Sequence, residues 1–439
     1  MAKQTIQFYQ GNIFQEFKQF PSSSYYKMHK LILFISILIP TVATAQFTES
    51  RSASIRAMQM IINGSWDTPP VINIGSNDKI DFSFDELSHI YKRYTYRITH
   101  CNANWEPSEL FTADYLDGFN NRPIEDWQNS ENTTQQYTHY RFSLPNEDVS
   151  LKLSGNYKVE IFDDDADEEP VAIFGFAAVE HKVSIHATVS SDTEIDRNST
   201  HQQLSIIINH SGYNIQTPAS DIKLTVTQNR RSDNKVTNIK PQYITGNTLE
   251  YSHIKELIFD AGNEYRRFEI TDPYSPGMGV EHISYDQEFY HVDLYPEKET
   301  GSYFNHYDED GRFFTNTLEG SGSAIEADYA LVHFKLDTPY KSGGDYYLLG
   351  DWWGNKFRDS NIMTYDNEAG AYVSTQLMKF GVYNYQYIWL PDDDTHAQTK
   401  PVEGNFYQTE NEYLILVYHR TFGDRYDKLI GVKQIIYKD

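Results

Sequence analysis

The chain has 439 residues, with 62 Asp and Glu against 37 Lys and Arg and a net charge of −25. So acidic a surface repels phosphate backbones and anionic headgroups, which excludes a nucleic-acid partner and peripheral attachment to an anionic membrane face. The lone cysteine, Cys101, rules out a disulfide within the chain, so stability must come from ordinary apolar cores, several of them at this length.

In chain order, the first feature is an export signal. Lys27, His29 and Lys30 form a basic patch, and Leu31–Ile39 is an apolar run broken only by Ser36. Pro40 stops any helix there, and Ala43-Thr44-Ala45 sets small side chains where a signal peptidase cuts. The run is too short to cross a bilayer, which takes about 20 residues. Residues 1–45 are therefore expected to be an upstream extension plus a signal peptide, with Met28 the true start. The mature chain then begins at Gln46. A lipoprotein carries Cys at that position, so no lipid anchor is expected.

Beyond the signal, alternation of period two dominates. Tyr94, Tyr96 and Ile98 share one face of an expected strand, as do Tyr157, Val159 and Ile161, and again Tyr383, Tyr385, Tyr387 and Trp389. Asn63-Gly64, Asp117-Gly118, Gly155-Asn156, Gly246-Asn247 and Asp310-Gly311 mark turns between such runs. No amphipathic helix longer than about three turns is evident. Three blocks follow: an N-terminal sandwich over residues 46–181, a middle sandwich over 182–298 and a C-terminal one over 328–439, with a hairpin and linker at 299–327. Short strands in units of about 100 residues predict an all-β chain of tandem immunoglobulin-like β-sandwich domains. An outer-membrane barrel is the competing all-β architecture. Acidic runs break the strands irregularly, however, and the chain ends Tyr437-Lys438-Asp439 without a terminal aromatic.

Catalytic and metal motifs are missing. His181 and His186 are five apart on an expected strand and point to opposite faces, and His282 and His291 have the same difficulty on one strand. There is no H-E-x-x-H, no cysteine cluster, no G-x-S-x-G and no phosphate-cradling loop. Asp308-Glu309-Asp310-Gly311 lacks calcium-loop spacing. Asp163–Asp165 and Asp392–Asp394 read as solvated loops, and Cys101 beside His100 as a buried thiol. No cofactor, no metal and no enzymatic activity are expected.

One constellation suggests a ligand. Tyr346 to Trp353, followed by Met363, Tyr372 and the run Lys379–Tyr387, resembles the order of early-set immunoglobulin modules that accompany or bind glucans. A sugar would stack on Trp352, Trp353 and Tyr385. Packing of the same rings into a sandwich core is the favoured reading, because fold resemblance alone carries no function.

Two further segments go beyond architecture. The first runs from Tyr96-Arg97-Ile98-Thr99-His100-Cys101-Asn102-Ala103-Asn104-Trp105-Glu106-Pro107 through Ser108, Glu109 and Leu110 to Tyr115-Leu116-Asp117-Gly118-Phe119. The second runs from Gly404-Asn405-Phe406-Tyr407 to Tyr413, then through Tyr418-His419-Arg420 to Gly423-Asp424-Arg425-Tyr426-Asp427. With Gly155-Asn156-Tyr157-Lys158-Val159, they resemble the plug protein family of the type IX secretion system. That resemblance implies a periplasmic, non-enzymatic protein. It would dock on the outer-membrane β-barrel translocon and close its periplasmic opening, and it transfers no contact residue.

Overall fold

Alternation becomes strand wherever the turns allow it. In Tyr94–Cys101 the side chains of Tyr94, Tyr96 and Ile98 are buried while Arg97 is exposed. The computed structural model describes residues 48–165, 169–315, 317 and 323–438. The basic patch, the apolar run Leu31–Ile39, the cleavage site Ala43–Ala45 and Gly320–Gly322 of the linker lie outside the described residues. Strands dominate at 48% against 4% helix, so the all-β, multi-sandwich expectation holds. The described α-helices, Thr112–Tyr115, Pro218–Asp221 and Ser323–Glu326, are single turns.

Six of the seven sheets among the described residues pair off into three sandwiches, the seventh being the short pair Leu116–Gly118 and Val149–Leu151. In the first, Thr48–Ser50, Ala172–Val179, Gly155–Asp163, Tyr94–Cys101 and Arg122–Pro123 face Ile55–Ile62, Ile80–Glu86, Thr138–Leu144 and Asp126–Asn129. Aromatic rings fill the space between them: Phe82 stacks on Phe142 at 4.9 Å and meets Phe174 edge-on at 5.2 Å, and Tyr157 stacks on Phe176 at 5.4 Å. The second sandwich sets Ser184–Ser190, His201–Asn209, Thr248–Tyr251 and Tyr243–Thr245 against Val236–Thr237, Ile222–Gln228, Asn411–His419 and Lys428–Tyr437. In the third, Arg266–Ile270, Gly381–Pro391 and Phe313–Thr315 face Val280–Tyr285, Tyr290–Leu294, Tyr329–Leu336, Ala371–Lys379 and Thr364–Asp366. The chain thus leaves the second sandwich after Asp260, builds the third, and returns at Asn411 to pair residue by residue with Ile222–Gln228. Strand pairing cuts across the linear blocks, because period two identifies strands and says nothing of their partners.

Two strands are buried on both faces, Ala172–Val179 and Asn411–His419. Along the latter, Tyr413, Ile415 and Val417 enter the second core, while Leu414, Leu416 and Tyr418 turn outward onto Ala177 and Val179 of the first sandwich. A strand with one solvated face would alternate with polar residues; here the second face also has a core to enter. Gly175 and Ala177, on the seam face of Ala172–Val179, carry little or no side chain, whereas Ala178 points into the first core. Burying one leucine is worth roughly 1.5–3 kcal/mol, so the apolar contacts of this seam contribute substantially to fastening the first two sandwiches.

Leu416→Ala leaves a cavity in the seam, and denaturant unfolding is expected to show a loss of about 2–5 kcal/mol. A loss within the ~0.5 kcal/mol typical of surface substitutions would show that the seam does not bear on stability.

Candidate functional site at the junctions between sandwiches

The two sequence segments meet across the first of these junctions. Asn102 and Ala103, in the turn after Tyr94–Cys101, clasp Asp427: Ala103 N donates to its Oδ2 at 3.0 Å, and Asp427 N donates to Asn102 Oδ1 at 3.1 Å. Lys223 of the second sandwich closes the clasp with an ion pair to Asp427 at 2.7 Å. Arg420 bonds Glu109 at 3.2 Å and Arg425 bonds Asp114 at 2.9 Å. Asn156 bridges the same seam, donating to Asn102 O at 3.0 Å and accepting from Tyr418 Oη at 2.8 Å. Gly155 lies at φ +143°, and a Cβ there would run into the His100 ring. The imidazole of His100 meets Tyr157 and Tyr426 edge-on at 5.0 and 5.2 Å. Its Nε2 bonds Ser154 O at 3.1 Å and its Nδ1 bonds Ser108 Oγ at 2.9 Å, a pattern that the neutral ring satisfies. The motif residues are junction residues. On the loops of the same segments Phe111, Phe119 and Phe422 are exposed by 77%, 72% and 103%. Exposed apolar side chains of this size mark interaction surfaces when they cluster.

Charge fastens the other junctions. Arg312, which precedes Phe313–Thr315 of the third sandwich, pairs with Glu412 of the second and donates to Asp67 O of the first at 2.9 Å. Arg230 of the second sandwich reaches Asp351 of the third at 3.0 Å and Thr68 O of the first at 3.3 Å. Between the first and third sandwiches, Asp85 accepts from Lys379 Nζ at 2.6 Å, from Tyr329 Oη at 2.6 Å and from His139 Nδ1 at 2.7 Å. Burial pushes the Asp85 carboxyl up, yet the Lys379 ammonium and the His139 bond outweigh it and hold it below the usual carboxylate range. Sequence reading missed this network; the signal available was a charge inside an apolar strand, Asp85 after Phe82-Ser83-Phe84 and Lys379 after Leu377-Met378.

The residues singled out for chemistry are scattered. His282 and His291 sit on paired neighbouring strands rather than on one, and His291 stacks on His333 at 5.3 Å. Among the described residues no group of three or more His, Cys, Asp or Glu is placed to hold a metal. Burial pushes the Cys101 thiol up to about 12, which leaves it unreactive. Burial also raises Asp308 to about 7 and Asp310 to about 8, in a turn whose Gly311 packs on the Tyr265 ring. Trp352 and Trp353 come together in a short 3-10 turn, Trp352 edge-on to Phe313 at 5.1 Å and Trp353 donating to Gln376 Oε1 at 3.2 Å. Both line a cleft of about 410 Å³ against the first sandwich. Tyr385 does not join them: it is 2% exposed in the third core and donates to Glu297 at 2.7 Å. No described helix is long and apolar enough to cross a membrane.

Residues 55–180 match a family model described as the first domain of the type 9 secretion system plug protein. Residues 55–180 belong to that plug-domain family. The match spans nearly the whole first sandwich and includes Asn102, Ala103, Gly155 and Asn156 of the clasp. The chain is also similar to a hypothetical protein from Parabacteroides merdae ATCC 43184, seen in a crystal structure at 2.30 Å resolution. The two are 40% identical with a TM-score of 0.87, over 89% of this chain and 99% of that one. No curated protein matches.

His100 offers a direct probe of the clasp. Burial, against the Ser154 bond and the Asp427 charge, lowers its pKa to about 4. The unfolded chain takes up that proton near the ordinary value of about 6.5, so it binds more protons than the folded one between the two. Stability is therefore expected to fall by up to about 3 kcal/mol as pH drops from about 6.5 to about 4. His100→Asn should flatten that part of the curve in urea unfolding across pH, whereas an unchanged slope would contradict a buried neutral ring.

Proposed function

We propose that this protein is the periplasmic plug of a type IX secretion system. In this reading it docks on the outer-membrane β-barrel translocon and sterically closes its periplasmic opening. The observation that carries it is the locking of three sandwiches through buried junctions in a chain whose residues 55–180 match the plug family. A stopper must resist collapse and needs no chemistry, only a surface that holds its form. The signal-like segment of residues 27–45 supports delivery to the periplasm. Aromatic side chains on the loops of the two motif segments suit a protein partner, where large rigid rings bury area at small entropic cost.

Affinity capture of the tagged protein from envelope membranes is expected to recover the barrel, and deletion of the gene to make the outer membrane leaky to large solutes. The informative complementing variant is the whole chain with a weakened clasp, such as Asp427→Asn. Removing residues 328–439 would also strip Asn411–His419 and Lys428–Tyr437 from the second sandwich. Failure to recover the barrel, even from cells depleted of secretion substrates, would contradict the plug.

A further inference from the structure

The cleft beside Trp352 and Trp353 carries a feature that plugging does not need. Arg56 lies on the edge strand Ile55–Ile62 and lines this cleft, where its guanidinium is largely desolvated. Its one hydrogen bond among the described residues goes to the neighbouring Ile55 O at 3.0 Å, and it makes no ion pair with any of them. The carboxylates of the cleft are already engaged: Glu49 carries Lys356, Arg358 and Arg51 at 2.7, 2.9 and 3.7 Å, one negative charge against three positive, and Asp351 is taken by Arg230. In a chain with a net charge of −25, a desolvated guanidinium without a counter-ion is an anomaly.

Arg56 is the last residue in register, opposite Asp85, before the strand bulges. The pairing of Ile55–Ile62 with Ile80–Glu86 slips between Arg56 and Gln59, and Ala57 in the bulge takes φ +46°. L-residues adopt that conformation at a cost, and bulges of this kind re-aim a side chain next to functional sites. The opposite wall carries the two half-buried indoles with Thr375, Gln376 and Ser360; the Gln376 amide is held by Trp353 Nε1, Ser360 O and Ser374 Oγ, and Thr375 Oγ1 is bonded to His333. A volume of about 410 Å³ falls within the range of small-ligand pockets, roughly 300–1,000 Å³.

We propose that this cleft binds an acidic sugar. The Arg56 fork takes the carboxylate, and the indoles of Trp352 and Trp353 lie beside the sugar ring. Planar bidentate donors match carboxylates, and a ligand of many hydroxyls on a flat body suits such a lining better than an acidic peptide does. The site does not depend on plugging, and its test reads binding by the isolated protein.

Calorimetric titration of the purified protein with glucuronate, galacturonate and their short oligomers is expected to show saturable binding. Glucose and galactose, which lack the carboxylate, should bind about tenfold more weakly or worse, the loss of one charged hydrogen-bonded pair. Arg56→Gln should bring uronate binding down to the neutral-sugar level with an unchanged melting temperature. Arg56→Lys, which keeps the charge and loses the fork, should fall between, and it replaces Arg56→Gln if that variant does not fold. Equal affinity for uronate and neutral sugar, wild-type uronate binding by Arg56→Gln, or no uronate binding at all would overturn the proposal. An acidic peptide that displaces uronate with higher affinity would overturn the ligand class.

Discussion

The structure depends on two strands that have no solvent face. Ala172–Val179 closes the first sandwich and Asn411–His419 runs through the second, and each is buried along its whole length. Once Leu414, Leu416 and Tyr418 lie on Ala177 and Val179, the register between the sandwiches is set, since a slip by one residue would turn these side chains into the wrong core. The polar clasp around Asp427 is possible only in that register. Ala103 and Lys223 reach the Asp427 carboxylate, and Asn102 accepts from its backbone N–H, because the apolar seam has already placed these groups from two sandwiches.

Buried charge does a different job at the third sandwich. Taking Asp85, Lys379, Arg312 and Glu412 out of water costs several kcal/mol per ion, so their pairing adds little net stability. What such groups impose is a penalty on every other arrangement. Arg312 finds Glu412 and the Asp67 carbonyl together only when all three sandwiches are in place. The third sandwich is also inserted between two stretches of the second, so its ends are held at Asp260 and Asn411. For a protein read as a stopper, apolar seam and charged locks act toward one end: a body whose domains do not swing.

Much of the fold was legible in the sequence, because period two and the Asn-Gly and Asp-Gly turns report directly on strands and hairpins. Tyr94, Tyr96 and Ile98 needed no structure to be placed inside. Partners were not legible. Nothing local in Ile222–Gln228 shows that it pairs with Asn411–His419, almost 200 residues away along the chain. That contact is enforced by tertiary burial, which leaves no periodic trace. At the junctions the motif segments were visible as residues but not as neighbours; Gly155, His100 and Tyr426 make sense only when stacked together. Trp352 and Trp353 were found by their chemistry. Arg56, next to a bulge at Ala57, gave no sequence signal at all.

The account treats the three sandwiches as one mechanical body, and calorimetry tests that most directly. Scanning calorimetry of residues 46–439 is predicted to give one transition in which the calorimetric and van't Hoff enthalpies agree, the mark of a single cooperative unit. Two or three resolved transitions, or a calorimetric enthalpy well above the van't Hoff value, would mean that the sandwiches melt independently. The seam and the locks would then not join them.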